Sequence, residues 1–106
     1  QLLETFIHKC DPSLTLNYNK HYIGLAKDGA PFNFVEFRPR KTAVNFDLKL
    51  EKTAEYDSII DEADLDTLEY QTRWRKYRFR LDKSDVSEKE DAMMMLVKSA
   101  YEQRLR

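Results

Sequence analysis

A chain of 106 residues holds enough material for one modest core and excludes an assembly of several domains. Its 18 Lys+Arg against 19 Asp+Glu give a net charge of -1, so bulk charge predicts no polyanion partner. Two glycines and one cysteine exclude a Gly-rich phosphate loop and an intrachain disulfide.

The opening stretch QLLETFIHKC places Leu2, Leu3, Phe6, Ile7 and Cys10 at helical spacing, and Asp11-Pro12 ends the run. It lacks an initiator Met and signal-peptide architecture, so a piece of a longer protein is expected. Cys10 reads as a small buried or half-buried hydrophobe in a reducing, cytoplasmic compartment. No apolar run approaches the roughly 18 residues of a membrane span, so no membrane partner is expected.

Three strands are predicted next. His21–Lys27 carries Ile23 and Leu25 on one face and Tyr22 on the other, and Asp28-Gly29 supplies a tight hairpin turn. Phe32–Arg38 alternates Phe32, Phe34, Glu36 and Arg38 against Asn33, Val35 and Phe37. Ala43–Leu50 sets Val44, Phe46, Leu48 and Leu50 against Asn45, Asp47 and Lys49. Short connections make this an antiparallel meander with one buried and one wet face.

Residues 51–69 hold eight acids and one base, Lys52, and read as a short helix near 55–63 followed by a loop. In YQTRWRKYRFRL, strict alternation from Lys76 to Leu81 predicts a fourth strand. Tyr77, Phe79 and Leu81 face inward, and Lys76, Arg78 and Arg80 outward. Ser87 with Glu90 is a capping-box spacing, opening a last helix over 88–105 with Ala92, Met95, Leu96, Ser99 and Ala100 as its core stripe. Of Met93, Met94 and Met95, at least one must lie off that stripe, where it would suit a dimer face or a neighbouring domain. The expected fold is a two-layer α+β domain over residues 1–106, with a four-stranded, mainly antiparallel sheet and helices on one face.

Chemistry-bearing constellations are sparse. His8 and His21 stand at no ligand spacing, and Asp61, Glu62, Asp64 and Asp66 lack the pattern of a cation loop, so no metal and no cofactor are expected. No serine sits in a nucleophile elbow, and no catalytic set emerges. Asp47-x-Lys49 matches the acid-x-lysine triplet of metal-dependent nucleases, but its second acid is not identifiable. The richest signal is basic: Arg38, Arg40 and Lys41 at one turn, then Arg73, Arg75, Lys76, Arg78 and Arg80, with Trp74, around the fourth strand. Arginine interleaved with aromatics suits phosphate contact and base stacking. Against this stands self-neutralisation of the strand arginines by the acidic segments on either side.

HYIGLAK, FNFVEFRPRK, the alternating third strand, TRWRKYRFRL and LVKSAYEQRL together resemble a bacterial domain family of unknown function. Its members are often labelled "predicted transport protein" and occur alone or at the end of restriction-type or nuclease-like proteins. The resemblance implies a small soluble α+β module without an assigned activity. The chain keeps the family's tryptophan as Trp74 but lacks the glycines and histidine of its turn. The leading expectation is a non-catalytic accessory or interaction domain with a protein partner or flanking domain, or a homo-oligomer. The alternatives are a nucleic-acid-binding module and, more remotely, an enzyme built on Asp47 and Lys49.

Overall fold

The computed structural model describes residues 2–105, leaving out the side chains of Leu2, Leu3, Lys83 and Val86. Leu2 and Leu3, expected on the first helix's apolar face, thus lie outside the described side chains. In chain order the elements are α1 (Leu2–Cys10), β1 (Leu14–Tyr18), β2 (Ile23–Lys27), β3 (Ala30–Pro31), β4 (Val35–Pro39) and β5 (Ala43–Lys49). After these come α2 (Ala54–Glu62), β6 (Thr67–Gln71), β7 (Lys76–Asp82), α3 (Lys83–Glu88) and α4 (Glu90–Leu105).

The sheet is open and antiparallel throughout, with strand order β1-β2-β4-β5-β7-β6 and the short β3 paired to β2. It has seven strands among the described residues, not the four expected. The three additions are short or marginal. In β1 the sequence does alternate Leu14 and Leu16 with Thr15 and Asn17, but over five residues. In β6 no residue is fully buried and a register shift interrupts the pairing, so its sequence carries no period to read.

The Asp28-Gly29 turn forms as expected. Both residues take positive φ, 53° and 80°, between the partners Lys27 and Ala30. The next strand departs from its predicted alternation. Residues 32–34 leave the ladder, and β4 begins only at Val35, so Phe34 and Val35 are both buried in succession. Asn33 fills the missing rung, its Oδ1 accepting the Leu25 N–H at 2.7 Å. Phe32 and Phe34 turn instead to Tyr101 of α4, at centroid distances of 5.8 and 5.4 Å.

The helices pack on the face that carries Val35, Phe37, Phe46, Leu48, Tyr77 and Phe79. Phe6 of α1 meets Phe46 edge-to-face, and Phe46 meets Phe37 likewise. The expected capping box at Ser87 and Glu90 is not the one used. The chain turns helical five residues earlier, where Asp82 accepts the Asp85 N–H at 2.8 Å and Asp85 accepts the Asp82 N–H. A turn at Lys89 divides the helix in two, and the core stripe of its second part runs through Met93, Leu96, Val97 and Ala100 rather than Ala92, Met95, Leu96, Ser99 and Ala100. Met95 is exposed, as one of three consecutive methionines had to be.

A polar cluster ties α1, β2 and α4 together. Asp11 accepts from the Tyr101 hydroxyl and from Lys27, whose Nζ also donates to Tyr101 at 2.9 Å. The Tyr101 hydroxyl, then Ser13 and Lys27, hold the Asp11 carboxyl far below the usual carboxylate range. Beside it Cys10 is half-buried, and burial pushes its thiol up to about 11, which keeps it protonated at neutral pH.

Two outcomes follow. A Cβ on Gly24 would lie 2.5 Å from Asn33 Oδ1, whereas one on Gly29 would meet nothing but must keep φ of 80°. Urea unfolding of Gly24→Ala is expected to lose about 2–3 kcal/mol through the disrupted rung. Gly29→Ala should lose only about 1 kcal/mol from backbone strain. Equal stability of Gly24→Ala and the parent would refute the packing described. Because the Asp11 pKa is lowered on folding, its contribution is present above the ordinary 3.8 and is lost as pH falls below it. Asp11→Asn should therefore show a shallower loss of stability below about pH 4 in acid titration by circular dichroism.

Candidate functional site

Strand alternation sends Glu36 and Arg38 of β4, Asn45, Asp47 and Lys49 of β5, and Lys76, Arg78 and Arg80 of β7 to the face opposite the helices. Register then decides who meets whom. Glu36, Asp47 and Arg78 form one cross-strand row, Arg38, Asn45 and Arg80 the next, and Lys49 faces Lys76. Two of these pairings oppose like charges, which is unfavourable unless a counter-charge intervenes. Arg38 bridges the two acids, holding Asp47 through Nη1 and Glu36 through Nη2, the latter at 3.2 Å. Arg78 Nε reaches the second Asp47 oxygen at 3.3 Å. Lys76 leans away from Lys49 to Glu36 at 3.4 Å.

Asp47 is thus a carboxylate only 4% exposed, gripped by two guanidiniums. This departs from the expected wet face: the middle of it is sealed by its own charged side chains. Arg38 also lies 5.6 Å from the Tyr22 ring centre. Asn45, 8% exposed between Arg38 and Arg80, keeps Oδ1 without a hydrogen-bond partner.

The eight residues predicted for binding do not share one spot. Arg38, Arg78 and Arg80 share the middle of the face, whereas Arg40 and Lys41 lie exposed at the β4–β5 turn. Arg73, Trp74 and Arg75 lie in the β6–β7 hairpin, beyond the Lys49–Lys76 pair at the opposite end. The length of β5 separates the two ends by about 20 Å. What results is a strip, and Lys49 and Lys76 complete it between centre and hairpin. Lys76 was legible in the basic run of the fourth strand and Lys49 in the Asp47-x-Lys49 triplet, but their meeting across the two strands was not.

Of the strand arginines, Arg78 is paired by Asp47 of β5. Among the described residues no ion pair joins Arg73, Arg75, Arg78 or Arg80 to residues 51–69. Asp57 instead pairs with Lys52 at 2.7 Å and accepts from the Tyr77 hydroxyl at 3.0 Å, on the helix side. Burial pushes the Tyr77 and Tyr70 phenols upward, so both remain hydrogen donors at neutral pH. His8 binds the Leu14 carbonyl at 3.0 Å, and His21 is exposed. No three acid, histidine or cysteine side chains gather to hold a metal ion among the described residues.

The hairpin itself is shaped by two backbone bonds, Trp74 N–H to Gln71 O at 3.2 Å and Arg75 N–H to Thr72 O at 3.3 Å. Arg75 takes φ of 53°, a conformation costing a side-chain-bearing residue about 1–2 kcal/mol. The Leu50 N–H, donating to the Arg75 carbonyl at 3.1 Å, holds it there. Trp74 is 58% exposed, with the Arg73 guanidinium 5.0 Å over its ring.

Asp47→Asn would leave two guanidiniums facing a neutral amide in a nearly closed setting. The variant is expected to lose about 2 kcal/mol in urea unfolding, discounted for the partial exposure of both arginines. Lys52→Ala, which breaks an exposed pair, should lose less than about 1 kcal/mol. Equal losses would show that Asp47 has no special place in the sheet.

No described helix is long and apolar enough to cross a membrane. No curated protein and no solved structure gives a significant match. A family model described as a domain of unknown function does match, over residues 1–104, and by this coverage the chain belongs to that family, DUF5655.

Proposed function

We propose that this protein is a non-catalytic binding domain whose outer sheet face takes the phosphate backbone of a nucleic acid. The observation that carries the reading is the segregation of charge. Among the described residues of β4, β5 and β7, Arg38, Lys49, Lys76, Arg78 and Arg80 stand on one face against Glu36, Asp47 and, at its far end, Asp82, and Arg40, Lys41, Arg73 and Arg75 extend it at both ends. The acids of α2 lie in the layer behind the sheet. A net charge of -1 conceals this polarity, and a local positive field is what steers a polyanion.

Binding is favoured over cleavage by the state of the carboxylates. Glu36 is the second acid that the Asp47-x-Lys49 triplet lacked in sequence, placed directly opposite Asp47. Both acids are committed to Arg38, Arg78 and Lys76, so their role is to fix guanidiniums in place. Fixed guanidiniums lose little side-chain freedom on meeting a phosphate.

Fluorescence anisotropy with labelled single-stranded and duplex oligonucleotides tests the reading. Binding at low salt is expected to weaken steeply as salt rises, with a log–log slope near −0.9 per phosphate contacted in a duplex. Lys41→Glu with Arg80→Glu, both exposed, should weaken it by about tenfold or more while the thermal midpoint stays close to the parent's. No binding at about 50 mM salt would overturn the proposal and leave a protein or flanking domain as the partner.

A further inference from the structure

At the hairpin end of the strip a depression of about 260 Å³ opens between the sheet and the last turn of α4. Its walls include Trp74, Arg75, Lys49, Glu51 and Arg104. The volume lies just below the roughly 300 Å³ at which pockets for drug-sized ligands begin, so it suits one small, flat molecule. Of its seven lining residues, which also include Leu50 and Gln103, three are cationic, one is the protein's sole tryptophan and one is an acid.

We infer that this depression is a nucleotide subsite: a base stacks on Trp74, and its phosphate is held by Arg75, Arg104 and Lys49. The inference rests on the binding reading above and gives it a chemical end point.

Exposed indole is a stacking platform that accepts any base. The hairpin bonds fix the Trp74 backbone, and Arg73 sits over the ring, so the platform is partly ordered before a ligand arrives. Arg75 occupies a left-handed position where glycine would be unstrained, and in doing so presents a guanidinium to the depression. Strain retained at a cavity wall is a mark of function. Arg104 arrives from α4 across Phe32, 5.1 Å from that ring, so its approach is braced as well. Lys49 has lost the competition for Glu36 to Lys76 and is left exposed at the rim. Glu51, the single acid, would repel a phosphate but accept from amino groups on a base edge. Guanine, whose edge offers adjacent donors, is therefore favoured over uracil.

Because Trp74 is the only tryptophan, tryptophan emission excited beyond the absorption of the six tyrosines reports on this site alone. The full chain would be titrated with guanosine monophosphate, with uridine monophosphate, and with an unlabelled single-stranded oligonucleotide. Saturable quenching by the guanine nucleotide, weaker by the uracil one, is expected. Arg75→Gly should weaken it by about tenfold or more, as loss of a charge-assisted contact does. Its thermal midpoint should be equal to or above the parent's, since glycine relieves the strained φ. Quenching that is unchanged in Arg75→Gly overturns the assignment. So does emission left unmoved by both the nucleotides and an oligonucleotide that anisotropy shows to be bound; that result leaves the sheet-face reading standing. Quenching by the free nucleotide without any oligonucleotide binding supports the pocket, identifies a free nucleotide as its ligand, and removes the sheet-face reading instead.

Discussion

Asp47 sits at the middle of a central strand with almost no access to solvent, and the rest of the outer face is arranged around that charge. A carboxylate in such a setting needs strong donors, and register brings them: Arg38 from one neighbouring strand and Arg78 from the other. Placing Glu36 directly opposite would be repulsive by itself, yet Arg38 reaches both acids at once. Lys76 is then drawn to Glu36, and Lys49, its direct opposite, is left free to serve the rim. One buried charge thus sets the posture of four neighbours.

This lattice explains how a weakly acidic chain acquires a basic surface. Acids and bases are similar in number, but the sheet divides them by face. The acids of α2 serve the helical layer, where Asp57 anchors Lys52 and Tyr77. The outer acids are spent on positioning guanidiniums, so the face keeps an excess of fixed positive charge. Such preorganisation matters more to recognition than the number of cations does.

Legibility followed the strength of the period. β2, β5 and β7 were readable because apolar and polar residues alternate over most of their length, and the Asp28-Gly29 turn was readable from its tolerance of positive φ. β4 was misread at its start because Asn33 replaces a backbone rung, an event with no periodic trace. β6 was missed because an exposed edge strand with a register shift has no face to conceal. The last helix was placed correctly in outline, but its stripe was displaced because Ala92, Ser99 and Met95 compete with Met93 and Val97 for the core face, and packing against the sheet, not sequence, chooses between the two overlapping stripes. At the candidate site the arginines and Lys76 were found by residue type and Lys49 as part of Asp47-x-Lys49; Arg104 was passed over because it joins them only in space.

Local alternation, turn chemistry and residue type are properties of neighbours in the chain, and the sequence by itself determined those: an α+β domain, antiparallel strands, an inward Tyr77, Phe79 and Leu81, an outward Arg78 and Arg80. Cross-strand register and the packing of α4 against the hairpin end are properties of residues far apart in the chain. Only the tertiary structure decided that Arg38 and Arg78 close on Asp47, that the acids of α2 stay behind the sheet, and that Trp74 and Arg75 share a cavity with Arg104. The physical reason is that charge pairing acts over a few ångströms of space, whatever the separation in sequence.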